Sequence, residues 1–216
     1  MKGCGCEMAR RTKEDAEATR SKLLDAAQEV FHAKGVAGAS LSDVAQAAGV
    51  TRGAIYWHFE NKAALFDAMM QRVTLPFEQA WGNERARIEK QRSALSRILD
   101  IFQMVLHSVS TDPITRQVFD IALYKVECVG EMLAVRERRL DGLKRFTSQM
   151  EGELALAAKE ALVQLPISVQ SAARGLHAVF EGVLHAWLLD DAQSFDLEAE
   201  GMAAVKVYLK GLGLQI

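Results

Sequence analysis

The chain has 216 residues and a formal net charge of −2, with half of its residues apolar and a quarter charged. That balance excludes intrinsic disorder for the bulk of the chain, because disordered sequences lack the apolar residues that offset chain entropy. No apolar run approaches the roughly 18 to 20 residues needed to cross a bilayer, so a cytoplasmic protein without membrane contact is expected.

With 32 Ala and 24 Leu against three Pro, the composition favours helix throughout, and an all-α fold is expected. Cys4 and Cys6 flank a single glycine and Cys128 stands far away. They offer neither a disulfide framework nor a zinc spacing. Residues 1–72 carry +1 and residues 73–216 carry −3. Neither part is strongly basic, so a nucleic-acid function has to rest on a motif.

Residues 1–18 show no core pattern and are expected to be a flexible tail. From Thr19 the apolar residues Leu23, Ala27, Val30 and Phe31 fall on one face of a helix that stops near Gly35. Ser40 is placed to cap a second, short helix, with Asp43 answering as in a capping box and Leu41, Val44, Ala45 and Ala48 facing inward. Gly49 ends it. Thr51 caps a third helix, Arg52 to about Phe59, with Ile55 and Phe59 inward, and Asn61 caps a fourth that runs toward Pro76.

Beyond these the helices lengthen. Leu95, Ile98, Leu99, Phe102, Leu106 and Val109 form an amphipathic stripe ending before Pro113. A further helix starts near Ile114 and a break is expected around Gly130. Leu140, Leu143, Met150, Leu154, Ala157 and Ala161 follow at near-heptad spacing up to Pro166. Ser168 or the residue before it opens a helix with Val169, Leu176, Phe180, Val183 and Trp187, and a last helix carries Met202, Val205, Leu209 and Leu212.

The segment LSDVAQAAGVTRGAIYWHF, Leu41 to Phe59, has the spacing of a helix-turn-helix. Ala45 is small where two helices cross, Gly49 lies at the turn, and Val44, Val50 and Ile55 fill the wedge between them. The candidate DNA contacts are Ser40, Ser42, Thr51, Arg52, Gly53, Tyr56, Trp57, His58 and Lys62. A capped helix N-terminus can meet a phosphate, an Arg fork can read guanine, and glycine permits close approach to the groove.

These residues resemble the TetR/AcrR family of transcriptional repressors. The match runs through Phe31, Gly35, Ser40, Asp43, Ala45, the run Ala48-Gly49-Val50-Thr51, Gly53, Tyr56, His58-Phe59, Lys62 and Leu65. The wording VTRGAIYWHFENKAALFDAM, with MARRTKEDAEATR before it, is similar to the branch that represses multidrug efflux pumps. The resemblance implies a homodimer whose three-helix N-terminal domain, 19–66, binds a palindromic operator in double-stranded DNA. A larger helical domain, 67–216, would take a small hydrophobic or cationic effector and form the dimer. Aromatic and flexible side chains on the middle helices make Phe102, Met104, Phe119, Leu123, Glu127, Phe180 and Trp187 the effector candidates. Small and apolar residues of the last two helices, Gly175, Ala178, Gly182, Ala186, Met202, Val205 and Leu209, are the candidate dimer interface.

No catalytic residues, metal or cofactor are expected: His32, His58, His107, His177 and His185 form no metal-binding spacing, and no nucleophile-elbow pattern occurs. The competing readings are a regulator of metabolic or envelope-lipid genes within the same family, and a DNA-organising protein that answers to no effector.

Overall fold

Nine α-helices and one short 3-10 turn account for the secondary structure of the computed structural model, which describes residues 4–81, 92–190 and 192–216 and holds no strand among them. The helices are α1 Cys4–Gly38, α2 Leu41–Ala47, α3 Arg52–His58, α4 Lys62–Trp81, α5 Ala94–Thr111, α6 Pro113–Tyr124, α7 Leu133–Ala161, α8 Val169–Leu189 and α9 Leu197–Gly211. The fold is therefore all-α. No helix among the described residues is long and apolar enough to cross a membrane.

Local chemistry explains where most of these helices start and stop. Side-chain oxygens of Ser40, Thr51, Ser93, Ser168 and Asp196 accept from backbone amides at the starts of α2, α3, α5, α8 and α9. Asn61 Oδ1 accepts from Ala64 N–H at 2.8 Å at the start of α4. Between α5 and α6, Asp112 accepts from Ile114 and Thr115 amides, and Arg116 returns its guanidinium to the carbonyls of Val109 and Ser110. Pro113 then occupies the first turn of α6, where its missing N–H is no loss.

Two expectations change, one about helix extent and one about burial. The helix expected from Thr19 begins at Cys4, so the segment expected to be a tail is helical from there; Glu, Lys, Arg and Ala dominate that stretch and favour helix without needing a core. Leu140 and Leu143, read as part of the same stripe as Met150 and Leu154, are exposed, whereas the latter two are fully buried. A straight helix drifts about 20° per heptad against a seven-residue repeat, so one apolar row does not stay on one face along α7.

The chain divides into two compact units. The first comprises residues up to Arg72 together with Asp120–Val135, and the second comprises Val73–Phe119 with Arg136–Ile216. The division differs from one drawn at 66/67 because α4 belongs to both units and the end of α6 joins the first. In the first unit Leu23, Ala27, Phe31, Val44, Ile55, Leu65 and Phe66 are fully buried, with the Phe31 and Phe66 rings 6.4 Å apart.

The second unit is built on α5, α7, α8 and α9. Its core holds Ile98, Phe102 and Leu106 from α5, Met150 and Leu154 from α7, Leu176 and Trp187 from α8, and Val205 and Leu209 from α9. An Arg97–Glu153 ion pair at 2.7 Å ties α5 to α7. At two points a neighbouring side chain packs directly on a glycine: a Cβ on Gly201 would lie 2.7 Å from Leu106 Cδ1, and one on Gly175 would lie 2.1 Å from Tyr208 Oη.

Candidate nucleic-acid interface

The bend between α2 and α3 is fixed from within. Gly49 takes φ 67, a left-handed conformation that costs glycine little, and Val50 N–H returns to Ala45 O at 3.0 Å. Val44, Ala45 and Ile55 are buried at the crossing. Thr51 Oγ1 accepts from Ala54 N–H at 3.3 Å, so the hydroxyl caps α3 as its position in the sequence suggested.

With Ile55 and Phe59 turned inward, the opposite face of α3 is left to solvent. Thr51, Arg52 and Gly53 are exposed there, Tyr56 is 47% exposed and Trp57 75% exposed. Arg52 holds its guanidinium 5.9 Å from the Tyr56 ring centroid, a cation–π pairing that orients both side chains outward. His58 is half-buried, with its ring edge-to-face with Trp57 at 4.7 Å. Burial, with a smaller contribution from the Arg20 charge, lowers the His58 pKa and favours the neutral ring.

Two of the sequence-based contact candidates have partners within the chain, and a third is half-buried. Ser40 Oγ accepts from Asp43 N–H and Ser40 N–H donates to Asp43 Oδ2 at 2.8 Å, completing the capping box, while the Ser40 hydroxyl donates to the same oxygen at 2.6 Å. Ser42 is half-buried. Lys62 Nζ donates to Ala39 O at 3.1 Å and Ala37 O at 3.4 Å, holding the end of α1. Lys34 at 2.8 Å and Ser40 together hold the Asp43 carboxyl far below the usual carboxylate range. Sequence reasoning missed Arg20, whose guanidinium lies 5.4 Å from the Phe59 ring centroid. A lone arginine on a polar face carries no signal that it packs against an aromatic ring.

In the second unit the effector candidates separate. Phe102 and Phe180 pack 5.0 Å apart, joined by Phe146 at 6.1 Å from Phe102, and His177 lies 5.3 Å from Phe146. Phe146 and His177 were not foreseen. Burial lowers the His177 pKa, opposed by Glu181. Met104 and Phe119 are half-buried against the same core. Trp187 is a fastened core residue: its indole donates to Phe195 O at 3.0 Å and Arg116 lies over its ring at 5.1 Å. Leu123 and Glu127 belong to the first unit, and Glu127 is exposed.

The proposed dimer residues divide as well. Ala178, Gly182 and Ala186 are exposed along one face of α8 and line, with Val179, Val183, Phe195, Glu200 and Ala204, an open groove of about 560 Å³. Leu189 and Val207 are also exposed, each by about 70%. Met202, Val205 and Leu209, by contrast, are buried within the subunit, and Gly175 is covered by Tyr208. Helical periodicity identifies an apolar face but cannot say whether a neighbour in the same chain or in another covers it.

Comparison with known proteins agrees with this architecture. Residues 23–69 match the family model of bacterial regulatory proteins of the tetR family, and residues 93–214 match the C-terminal region of MAATS-type transcriptional repressors. The HTH-type transcriptional regulator TtgR of Pseudomonas putida is 35% identical over 188 residues, 84% of this chain and 86% of TtgR. NalD, the secondary repressor of the MexAB-OprM multidrug efflux pump in Pseudomonas aeruginosa, superposes with a TM-score of 0.81 at 34% identity, covering 92% of this chain and 98% of NalD. The triclosan complex of SmeT, the repressor of a Stenotrophomonas maltophilia multidrug efflux pump, gives 0.77 at 32% identity, covering 89% and 90%. A helix-turn-helix with a capped, solvent-facing α3 on an all-α frame, matched in both its N-terminal and C-terminal parts, makes this chain a member of the TetR family of transcriptional regulators.

Proposed function

We propose that the protein is a ligand-responsive repressor that binds a palindromic operator as a homodimer, is released by small hydrophobic or cationic molecules, and controls a multidrug efflux pump. The observation that carries the reading is the outer face of α3, where Thr51, Arg52, Gly53, Tyr56 and Trp57 stand exposed on a capped helix held by a packed bend. A two-fold dimer would set two such helices into successive major-groove segments, at a separation near one helical turn or a multiple.

The exposed face of α8 with Ala204 and Val207 of α9 is apolar enough to serve as the dimer contact. The Phe102, Phe146 and Phe180 rings offer the aromatic surface that a hydrophobic effector would meet. Release follows by linkage: an effector that favours a dimer geometry unsuited to the operator must weaken DNA binding, and coupling of about 1–3 kcal/mol corresponds to roughly 5- to 150-fold. The pump assignment is supported by the roles of NalD and SmeT as repressors of multidrug efflux pumps.

Fluorescence anisotropy with labelled DNA from upstream of the chain's own gene and of neighbouring pump genes tests the reading, with triclosan as the probe effector. Retention of one such fragment over random DNA, and a loss of affinity within that range on adding triclosan, is expected. Equal binding to random DNA refutes the operator reading. Sequence-specific binding that no apolar or cationic probe weakens refutes the effector reading.

A further inference from the structure

A helix C-terminus leaves carbonyls without intrahelical partners. At the end of α1, where Gly35 takes φ 71, the amide of Val36 also departs from the helical ladder. One residue remote in sequence meets both needs. The carbonyl of Lys125, just beyond α6, accepts from Val36 N–H at 2.8 Å, and the Lys125 ammonium donates to His32 O at 3.0 Å. A cation at that place also complements the helix dipole.

Lys125 is itself held. Its ammonium lies 3.2 Å from Asp120 Oδ2, and the same oxygen lies 3.4 Å from His32 Nε2. Gly35 leaves room for the contact, since a Cβ there would sit 3.7 Å from Lys125 O. Lys62 occupies the carbonyls of Ala37 and Ala39 immediately downstream. The two lysines therefore fix the short joint from which Ser40 starts α2, and α2 carries the Val44–Ala45 packing that orients α3.

We propose that Lys125 is a positioning residue for DNA recognition. It sets the exit of α1, and through α2 the aim of Thr51 to His58, without touching the duplex. The inference rests on the operator-binding reading above. It assigns a part in DNA recognition to a residue outside the helix-turn-helix, on the Asp120–Val135 segment that joins the first unit.

Lys125→Met keeps the apolar stem and removes the ammonium. A loss on the scale of one hydrogen bond in each subunit, counted twice in a dimer, should weaken operator binding by about 5- to 150-fold. The dependence of log affinity on log salt should stay as in the wild type, because no phosphate contact is removed; loss of such a contact lowers the slope by about 1. Lys125→Arg should restore affinity to within about threefold of wild type. Without DNA, the Val36 amide should exchange hydrogen faster in Lys125→Met while amides of α8 do not. Asp120→Asn, a milder change, should move both readouts the same way.

A reduced salt slope in Lys125→Met, or unchanged affinity with unchanged Val36 exchange, overturns the proposal. A wild-type chain that binds no upstream fragment identifies failure of the operator reading through that control alone, and Val36 exchange then decides whether Lys125 holds the end of α1.

Discussion

Gly175→Ala offers a direct test of how α8 and α9 pack. In a helix interior this change ordinarily stabilises by about 0.5–1 kcal/mol, because alanine loses less backbone entropy on folding. Here the new Cβ would stand 2.1 Å from Tyr208 Oη and 2.8 Å from its Cζ. The phenol must move by more than an ångström and give up its hydrogen bond to Ala172 O at 3.1 Å. Overpacking costs about 1–3 kcal/mol and the lost hydrogen bond about 0.5–1.5 kcal/mol. Net destabilisation of about 0.5–4 kcal/mol follows, a fall in melting temperature of roughly 1–16 °C for a chain of this size. Gly152→Ala on α7 is the control, since nothing lies within 4 Å of a Cβ there, and it should stabilise. Thermal and urea unfolding followed by circular dichroism at 222 nm read both changes. In a Tyr208→Ala background the sign for Gly175→Ala should reverse. Stabilisation by Gly175→Ala in the wild-type background, equal to that of Gly152→Ala, refutes the packing described.

Thr51→Ala removes the cap of α3 and should cost about 0.5–2 kcal/mol of stability, with weaker operator binding in the same anisotropy assay; unchanged unfolding and unchanged binding would contradict the capped geometry. The Asp43 carboxyl is held below its ordinary value by Lys34 and Ser40, so its contribution to stability is complete above the unfolded carboxylate range and is lost as pH falls through that range and below. Acid titration of urea midpoints should accordingly show a shallower fall for Asp43→Asn than for wild type. Leu209→Ala should cost about 2–5 kcal/mol of subunit stability because the side chain is buried within the chain, whereas Gly182→Glu, on the exposed groove, should shift sedimentation toward monomer and leave helical content unchanged.

Local physics made much of the helix-turn-helix legible from the amino-acid order alone. Ser40, Thr51, Asn61 and Ser168 announce helix starts because a capping hydroxyl or amide acts within three residues, and Gly49 marks the turn because few other residues take positive φ. Ile55 and Phe59 could be placed inward from 3.6-residue periodicity, which left Arg52 and Tyr56 outside; Trp57, open between core and surface in the sequence, is put outside by the structure.

Other assignments required the tertiary structure, since they depend on what lies opposite a given face. Met202, Val205 and Leu209 have the same apolar character as a dimer contact, yet the chain's own helices cover them, while Ala178, Gly182 and Ala186 remain uncovered. Lys62 reads as a DNA contact in the sequence and Lys125 carries no signal there at all; only the folded backbone brings the carbonyls of Ala39 and His32 within their reach. Caps, turns and periodicity act between near neighbours and can be read along the chain; the burial of an apolar stripe and the partner of a charge are decided by residues dozens of positions away, which no local pattern encodes.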